Sequence, residues 1–335
     1  MLLQRHFSDG LVTIIGSGLS CAEGLPGMGA LADHLEAYLD PVDAGDRKLW
    51  DELLPLVKTL GLEAALLTIA PTVSLEIAIV SATADLILKH EKIVISEVFD
   101  GKRVLRFTKL LSHMLKTNAG IPVITTNYDR LVEVAVEEAG LGVDTMFVGQ
   151  FAGTFHEKES RYSFCRDVSL RKNQVTKLFR ERVNLFKPHG SLDWYHRAGK
   201  PVRYSGDLAA PRLIITPGLN KFRNGYESPF DRHRERANQS IDQASRFLII
   251  GYGFNDQHLE THLTPMIKSG KPTLLMTHSL SDNARILASQ CKNVISIESA
   301  AQSGIQGTQI TIECNPVFLP DVAIWDINDF VGKVL

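Results

Sequence analysis

Four short runs of aliphatic residues, each followed at once by a turn of small polar residues, constrain the fold of this chain most. They are Leu11–Ile15, Ile121–Thr125, 247–250 and Thr273–Met276. Runs of this length and composition are typical of strands buried on both faces of a sheet. A segment with helical apolar spacing follows the second run, over 129–139. The repeat of strand, tight turn and helix predicts an α/β fold, a Rossmann-like parallel sheet with helices on both faces.

The stretch between the first two predicted strands differs from the rest. Residues 28–118 are rich in Leu and Ala with few turn signals, and they predict a helical insertion. We therefore expect a single domain over 1–335, with a sheet core of 8–27 plus 119–335. The helices predicted in the insertion cover 31–39, 49–60, 75–88 and 103–118.

Two further segments have weaker patterns. Residues 151–182 are polar and basic without a clear period, which predicts a surface loop or hairpin, and 310–335 predicts a strand and a short helix. A basic cluster in the first segment is interpreted as a solvated face, with a partner contact as the alternative. Its members are Arg171, Lys172, Lys177, Arg180 and Arg182.

Composition argues against several function classes. Lys and Arg number 36 against 38 Asp and Glu, so the net charge of −2 gives no reason to expect nucleic-acid binding. The four cysteines are scattered and form no C-x-x-C pair, which argues against a zinc ribbon or a disulfide framework and fits a reducing compartment. The charged N-terminus lacks the apolar core of a signal peptide, and no run approaches the ~20 apolar residues that span a bilayer. We expect a cytoplasmic protein without membrane contact.

The turn after the first strand, G-S-G-L-S-C-A-E-G-L-P, begins at Gly16. Gly16 and Gly18 allow the backbone to approach a ligand closely, and N–H groups in such a turn can face a pyrophosphate. The fingerprint G-x-G-x-x-G would need a glycine where the chain has Cys21, so this is not the dehydrogenase form. A tight strand–helix turn without a ligand is the alternative.

The next two motifs carry the side chains best suited to chemistry. Asn127 and Asp129, two apart in T-T-N-Y-D, project to one side of an extended turn and could hold an amide or a ribose hydroxyl. Each is equally a favoured helix N-cap. His189 lies between Pro188 and Gly190, and a histidine held in a turn suits general base catalysis because its unperturbed pKa is about 6.5. A hydrogen-bonded turn histidine is the alternative.

A second glycine turn, G-Y-G-F-N-D, follows the run 247–250. It contains Gly251 and Gly253, and either Asn255 or Asp256 is the expected cap of the next helix. Because ligands in parallel sheets bind at the carboxyl ends of the strands, these turns should meet at one edge. Two glycine turns at that edge suit a ligand with two phosphates, although backbone geometry alone also explains them.

In this order, the motifs G-S-G-x-S-x-x-x-G-L-P, T-N-Y-D, P-H-G-S and G-Y-G-F-N-D resemble those of the sirtuin fold family. They are most similar to the sirtuin-like NAD hydrolases of bacterial anti-phage defence. The resemblance covers 8–27, 119–150 and 184–335, and it implies a sirtuin-like fold with NAD as the substrate.

The resemblance also assigns a role to each motif. The T-N-x-D turn lies beside the nicotinamide ribose in that family, which implies Asn127 and Asp129 as catalytic residues. The histidine of the H-G pair is the catalytic base, here His189. The two glycine turns bind the rest of the dinucleotide, through Gly16, Ser17, Gly18, Ser20, Gly251, Gly253 and Asn255.

Differences from the deacylating sirtuins favour hydrolysis. The scattered cysteines cannot form their Cys₄ zinc module, so no metal is expected, and that module frames the acyl-lysine cleft. The family's D-F-R after G-I-P is replaced by Gly27-Met28-Gly29, and T-Q-N-I-D is here T-T-N-Y-D. The resemblance therefore implies an NAD⁺ glycohydrolase that yields nicotinamide and ADP-ribose, acting as a regulated effector of abortive infection.

Two alternatives remain open, namely a protein deacylase or ADP-ribosyltransferase, and a non-catalytic NAD or ADP-ribose sensor subunit. Because loss of NAD harms the cell, we expect control by homo-oligomerisation or by a separate sensor protein. The resemblance implies a HerA-like ATPase as such a partner. The expected contact surfaces are the helices of 28–118 and the basic segment 166–182.

Overall fold

The computed structural model describes residues 2–60, 62–171, 174–215 and 227–335. Over these residues the strands are β1 Leu11–Ile15, β2 Ile121–Thr125, β3 Gly142–Asp144, β4 Phe147–Val148, β5 Ala152–Phe155, β6 Cys165–Arg171, β7 Gln174–Phe179, β8 Arg182–Phe186, β9 Gly190–Arg197, β10 Lys200–Tyr204, β11 Arg212–Ile214, β12 Arg246–Ile250, β13 Thr273–Met276, β14 Val294–Gln302, β15 Ile305–Ile312 and β16 Asn315–Pro320. The helices are α1 Ser17–Ala22, α2 Met28–Tyr38, α3 Ala44–Leu60, α4 Leu62–Thr68, α5 Val73–Phe99, α6 Arg106–Leu111, α7 Leu131–Glu138, α8 Glu157–Ser163, α9 Phe230–Gln243, α10 Gln257–Lys268, α11 Asp282–Gln290 and α12 Ile327–Lys333, with a short 3₁₀ helix at Gln4–His6.

A central sheet organises the molecule. Its nine described strands follow the order β16-β15-β14-β13-β12-β1-β2-β8-β3. From β14 to β3 neighbouring strands are parallel, whereas β15 and β16 extend one edge as an antiparallel hairpin. The predicted α/β fold is confirmed, and the four predicted strands are β1, β2, β12 and β13.

Helices cover both faces of this sheet, and β1 shows why the sequence requires it. All five residues of β1 are buried. Leu11 and Ile15 join a core with residues of α6, α7 and α12, whereas Val12 and Ile14 join a second core with residues of α9, α10 and α11. Successive side chains of a strand point to opposite faces, so a strand covered on both sides is apolar throughout.

The segment 28–118 is helical, as predicted, but its helices have different bounds. Helix α5 extends well beyond the predicted 75–88, and α6 is much shorter than the predicted 103–118. The reason for the late start of α6 is tertiary, because the buried carboxylate of Glu23 accepts a hydrogen bond from the Arg106 N–H at 2.7 Å. This contact fixes the first turn of α6 from outside the helix.

The insertion has a core of its own. Side chains of α2, α3, α4 and the first part of α5 pack together, whereas Val94 and Val98 near the end of α5 pack with the sheet. The division into a sheet core of 8–27 plus 119–335 and an insertion of 28–118 stays a prediction.

A second sheet was not predicted. It is antiparallel in the order β11-β9-β10-β5-β4, and β9 begins only four residues after β8 of the central sheet ends. The turn between these two strands therefore crosses from one sheet to the other. Strand β8 was missed as well, since its apolar residues alternate with Arg182 and Asn184.

The predicted hairpin in 151–182 exists as β6 and β7, while helix α8 in the same segment was not predicted. The interpretation of Arg182 as part of a solvated face is wrong. Its side chain is buried, donates hydrogen bonds to the carbonyls of Asn118 and Ala119, and lies over the ring of Phe179 at 4.8 Å. The C-terminal segment 310–335 holds the predicted helix, α12, but a two-stranded hairpin rather than one strand.

No helix in the described part of the chain combines the length and the apolar character needed to cross a membrane.

Candidate active site

The polar turns after β12, β1, β2 and β8 meet at one edge of the central sheet, because these strands are neighbours and run parallel. They border a cleft of about 1120 Å³, including space open to solvent. Eight of the ten site residues predicted from the sequence line this cleft, namely Gly16, Ser17, Ser20, Asn127, Asp129, His189, Gly253 and Asn255.

The other two, Gly18 and Gly251, hold the two glycine turns together. The Gly18 N–H donates to the Gly251 carbonyl at 3.0 Å, and a Cβ on Gly18 would lie 2.7 Å from the Gly251 Cα. Gly251 also has a φ of +58°, a conformation that glycine adopts readily. These glycines therefore permit contact between the turns, and their predicted contact with a ligand stays a prediction.

Asn127 is held by two hydrogen bonds from its amide nitrogen. Nδ2 donates to the Gly16 carbonyl at 3.0 Å and to the Ser20 hydroxyl at 2.9 Å. A carbonyl oxygen can only accept, so the orientation of the amide is fixed by Gly16. Both N–H groups are thus used within the protein, which leaves Oδ1 as the polar atom of this side chain that can face a ligand.

Asp129 holds Ser20, and through it Asn127, in place. Its Oδ2 accepts from the Ser20 hydroxyl at 2.7 Å, and its Oδ1 accepts from the N–H of Leu131, the first residue of α7, at 3.1 Å. Burial raises the pKa of the Asp129 carboxyl. The chain of bonds from Asp129 through Ser20 to Asn127 gives Asp129 a positioning role in addition to the predicted one.

Lys187 is a site residue that the sequence analysis missed. Its fully buried ammonium donates to the Asp129 carbonyl at 2.6 Å, to Glu133 Oε1 at 2.9 Å and to the Ser191 hydroxyl at 2.9 Å. These bonds join the T-N-Y-D turn to the turn that carries His189. The available signal was a lysine directly after an apolar run, which a strand prediction for β8 would have placed at the sheet edge.

His189 lines the same cleft as the T-N-Y-D turn and contacts an acidic residue of the second glycine turn. Its Nε2 lies 2.5 Å from Asp256 Oδ2, and both side chains are largely buried. Asp256 also caps α10, as predicted, because its Oδ1 accepts from the His258 N–H at 3.0 Å. Sequence alone could not reveal the contact with His189, since the two residues are distant in the chain.

A family model described as a SIR2-like domain matches residues 122–293, which is half of the chain and contains three of the four turns that border the cleft. The chain belongs to the SIR2-like family. This assignment indicates an NAD-dependent enzyme.

Solved structures of sirtuins resemble this SIR2-like protein at low identity. One, from a study of sirtuin substrate affinity, is 14% identical over 84% of this chain and 88% of that chain, with a TM-score of 0.34. Another, from a study of the mechanism and regulation of Sir2 enzymes, is 13% identical over 84% and 87%, with a TM-score of 0.41. Comparison with curated proteins finds no match.

The cysteines of this SIR2-like protein do not fit the Cys₄ zinc module of the deacylating sirtuins. Cys21 lies in α1, Cys165 in β6, Cys291 after α11 and Cys314 between β15 and β16. Over the described residues, no group of three or more His, Cys, Asp or Glu side chains is arranged to hold a metal ion.

The helical insertion supplies the apolar side of the cleft. Met28 and Leu31 of α2 and Leu86 and Ile87 of α5 line it, facing the polar turns of the sheet. The site thus has a polar wall from the sheet and an apolar wall from the insertion, a combination typical of small-molecule sites.

A buried histidine behind the site makes folding stability sensitive to acid. His233 Nδ1 accepts from the Lys187 N–H at 3.2 Å, and its ring lies 4.6 Å from that of Trp194. Burial, reinforced by the charge of Lys187, lowers the pKa of His233 to about 3. Between about pH 6.5 and 3 the unfolded chain binds this proton and the folded chain does not, so stability falls as pH falls.

We expect the replacement His233→Gln to remove that part of the pH dependence. From pH 6.5 to 5 the wild-type free energy of unfolding should fall by roughly 1.6 kcal/mol more than that of the variant, because the slope reaches its full value of about 1.36 kcal/mol per pH unit only well below pH 6.5. Urea unfolding at the two pH values measures the difference. The exposed His113, replaced in the same way, is the control. Equal slopes for wild type and His233→Gln would contradict the assignment.

Proposed function

We propose that this SIR2-like protein is an NAD⁺ glycohydrolase, which cleaves NAD⁺ into nicotinamide and ADP-ribose. The observation that carries the proposal is that Asn127 and His189 line one cleft together with residues of both glycine turns. The family assignment supports NAD as the substrate. The four cysteines lie in separate parts of the fold and do not form the zinc module that borders the acyl-lysine cleft of deacylating sirtuins, which argues against a deacylase.

Binding of the dinucleotide is supported by the chemistry of the two turns. The Ser17 N–H, at the first residue of α1, is a group of the kind that binds phosphate, whereas the Gly16 N–H already donates to the Ile250 carbonyl at 2.9 Å. Gly253 and Asn255 line the other side, so the diphosphate would lie between the turns. The nicotinamide end would then lie near Asn127, close to the apolar wall of the insertion.

The reaction breaks the bond between C1′ of the ribose and the nicotinamide nitrogen, whose electron pair leaves with neutral nicotinamide. Positive charge develops on the ribose in the transition state, as in other glycoside cleavages. Asn127 Oδ1 is the negative end of a dipole that hydrogen bonds to Gly16 and Ser20 hold in place. A preorganised dipole of this sign stabilises the transition state without reorganisation.

His189 acts as the base in this proposal. Water forms the new bond to C1′ through its oxygen, and His189 accepts the proton that this water loses before passing it to solvent. A positioned base of this kind contributes ~10²–10⁴-fold to the rate.

The proposal predicts equal amounts of nicotinamide and ADP-ribose when the purified full chain is incubated with NAD⁺ and no acceptor. We expect His189→Ala to lower the rate by about 10²-fold, at the lower end of what a positioned base contributes. His113→Ala, which removes an exposed histidine outside the cleft, should match the wild type. Chromatography of the products over time measures both rates.

Three outcomes would contradict hydrolysis. Turnover only with an acylated peptide would favour a deacylase, and ADP-ribose attached to a protein or nucleotide would favour a transferase. Tight NAD⁺ binding without nicotinamide release would favour a sensor subunit.

We further propose that the enzyme is a regulated effector of anti-phage defence that depletes NAD, controlled by self-association or by a separate protein such as a HerA-like ATPase. Exposed apolar side chains on the insertion and on the β6–β7 hairpin support protein contacts there, among them Ile77, Ile93, Val168 and Leu170. The same variants test this role. Infected cells that express the wild type or His113→Ala should lose NAD and restrict phage growth, whereas cells with His189→Ala should do neither.

A further inference from the structure

We propose that Glu91 of the helical insertion is a positioning residue for Asn127, because it fixes the far end of the T-N-Y-D turn through Arg130. The catalytic consequence rests on the proposed function, whereas the position of the turn is a property of the protein alone. The contact that carries the inference is the hydrogen bond that the Arg130 N–H donates to Glu91 Oε1 at 2.5 Å.

The Glu91 carboxylate holds both the backbone and the side chain of Arg130. The guanidinium donates to Glu91 Oε2 from Nε at 3.1 Å and from Nη2 at 2.5 Å, while its Nη1 donates to the Ser205 carbonyl at 3.1 Å. Arg130 comes directly after Asp129 and is the cap residue of α7. The turn is therefore held from the insertion at the point where it becomes a helix.

Helix α5 reaches the cleft and the turn with one face. Ile87 lines the cleft, and Glu91 follows four residues later, so both side chains lie on the same side of the helix. Tyr128 of the turn packs against a small apolar cluster that includes Ala84 of α5 and Leu192 of β9. A displacement of α5 would therefore act on the turn directly.

Asn127 lies between two anchors of the backbone. Before it, the Thr126 N–H donates to the carbonyl of Ile15 at the end of β1, at 3.3 Å. After it, Glu91 holds the N–H of Arg130, three residues further along the chain. The first anchor belongs to the central sheet and the second to the insertion, so the place of Asn127 in the cleft depends on both.

Stability alone does not explain a carboxylate at this position. The Glu91 side chain is fully buried, and a buried ion pair stabilises a fold little, since well-packed apolar residues often replace it without loss. An apolar side chain, however, cannot accept a hydrogen bond from a backbone N–H. The bond to Arg130 therefore gives Glu91 a role that packing cannot supply, which is to set the position of the turn.

Three variants separate the position of the turn from stability. Glu91→Ala removes the acceptor of the Arg130 N–H, whereas Glu91→Gln keeps an oxygen for it. The double variant Glu91→Met/Arg130→Met replaces the ion pair by apolar side chains, so it should recover the thermal midpoint that Glu91→Ala loses, but not the acceptor. The turn should shift rather than unfold in these variants, because Leu192 and Lys187 still donate to the carbonyls of Tyr128 and Asp129.

The position of Asn127 is measured without any ligand, on the full chain labelled with ¹⁵N-asparagine. The side-chain amide signals of Asn127 are assigned by their loss in Asn127→Ala. We expect these signals to shift in Glu91→Ala and in the double variant, because the hydrogen bonds of the amide to Gly16 and Ser20 change with the turn. In Glu91→Gln they should stay close to those of the wild type.

A matched control is Asp326→Ala at the cap of α12. The Asp326 carboxylate likewise accepts from a backbone N–H, that of Asn328 at 2.8 Å, and from a guanidinium, that of Arg106 at 2.9 and 3.0 Å. It does not line the cleft. Asp326→Ala should lower the thermal midpoint and leave both the Asn127 signals and the rate unchanged.

In parallel, nicotinamide release at saturating NAD⁺ should fall about 10²-fold in Glu91→Ala and in the double variant, and by less than about tenfold in Glu91→Gln, because a misplaced group far from the chemistry has an effect of this size. The NAD⁺ dissociation constant should change by less than about threefold, since the two glycine turns are held together by their own contacts.

Wild-type Asn127 signals and a wild-type rate in the double variant would overturn the inference. An equal loss of rate in Asp326→Ala would overturn it as well, because the loss would then reflect stability. Absence of nicotinamide release by the wild type would instead overturn the proposed function, and the Asn127 signals would still decide whether Glu91 positions the turn.

Discussion

Asn127→Ala is expected to lower the rate of nicotinamide release by about 10³-fold, the effect seen when one preorganised group that faces developing charge is removed. The replacement removes Oδ1 from the cleft and leaves the Gly16 carbonyl and the Ser20 hydroxyl without their donor. Ser20→Ala should cause a smaller loss, since it frees the amide to rotate but keeps its oxygen. Initial rates at saturating NAD⁺ measure both effects.

A control is available in Asn118, whose side-chain amide also makes two hydrogen bonds but lies away from the cleft. Its Nδ2 donates to the Lys177 carbonyl at 3.0 Å, and its Oδ1 accepts from the Phe179 N–H at 2.8 Å. Asn118→Ala should cost less stability than Asn127→Ala, because Asn118 is exposed whereas Asn127 is buried, and it should leave the rate unchanged. If Asn127→Ala and Asn118→Ala lowered the rate equally, the loss would reflect folding, and the role assigned to Asn127 would be wrong.

Gly18→Ala is expected to destabilise the fold and to disrupt the site together, although alanine is the better helix former. The added Cβ would lie 2.7 Å from the Gly251 Cα, a backbone atom that cannot move without separating the two turns. Overpacking of this kind costs about 1–3 kcal/mol. Thermal unfolding should show a lower midpoint, by roughly 2–4 °C per kcal/mol, and nicotinamide release should fall with it.

Gly29 provides the opposite case within the same region. It lies exposed in the first turn of α2, and a Cβ there would meet nothing within 4 Å. Gly29→Ala should therefore raise the free energy of unfolding by up to about 1 kcal/mol through helix propensity alone. Unfolding midpoints that move in the same direction for both variants would refute the packing role of Gly18.

The sequence predicted the parts of the fold that local pattern determines. Buried parallel strands such as β1 are apolar along their whole length, so they are visible without any partner. Strand β8 and the second sheet were missed because their apolar residues alternate with polar ones. The start of α6 was missed because it depends on Glu23, which is far away in the chain.

The residues of the candidate site also fall into two groups, those that local sequence predicts and those that only the folded chain brings together. Turn motifs predicted Asn127 and His189 as site residues, because glycine, proline and polar residues mark the ends of strands, and the structure brings both to one cleft. Lys187 and the partnership of Asp256 with His189 were not predictable, since each depends on contacts between segments that only the folded chain brings together. Gly18 and Gly251 were predicted because glycine lets the backbone approach a ligand. The structure shows another reason for glycine at both positions, which is the close approach of the two turns to each other.

The chain passes from β8 of the central sheet directly to β9 of the antiparallel sheet, and this connection bears on how the activity of the site could be regulated. His189 lies on the short link between the two sheets, and the T-N-Y-D turn is bonded to both of them. Asn127 donates to the Gly16 carbonyl beside the central sheet, and the Tyr128 carbonyl accepts from the Leu192 N–H of β9 at 3.0 Å. A tilt of the antiparallel sheet would therefore act on the link that carries His189 and on the T-N-Y-D turn together, and through the bond from Asn127 to Gly16 it would reach the first glycine turn. The rate of the proposed reaction would then depend on the orientation of the antiparallel sheet relative to the central sheet.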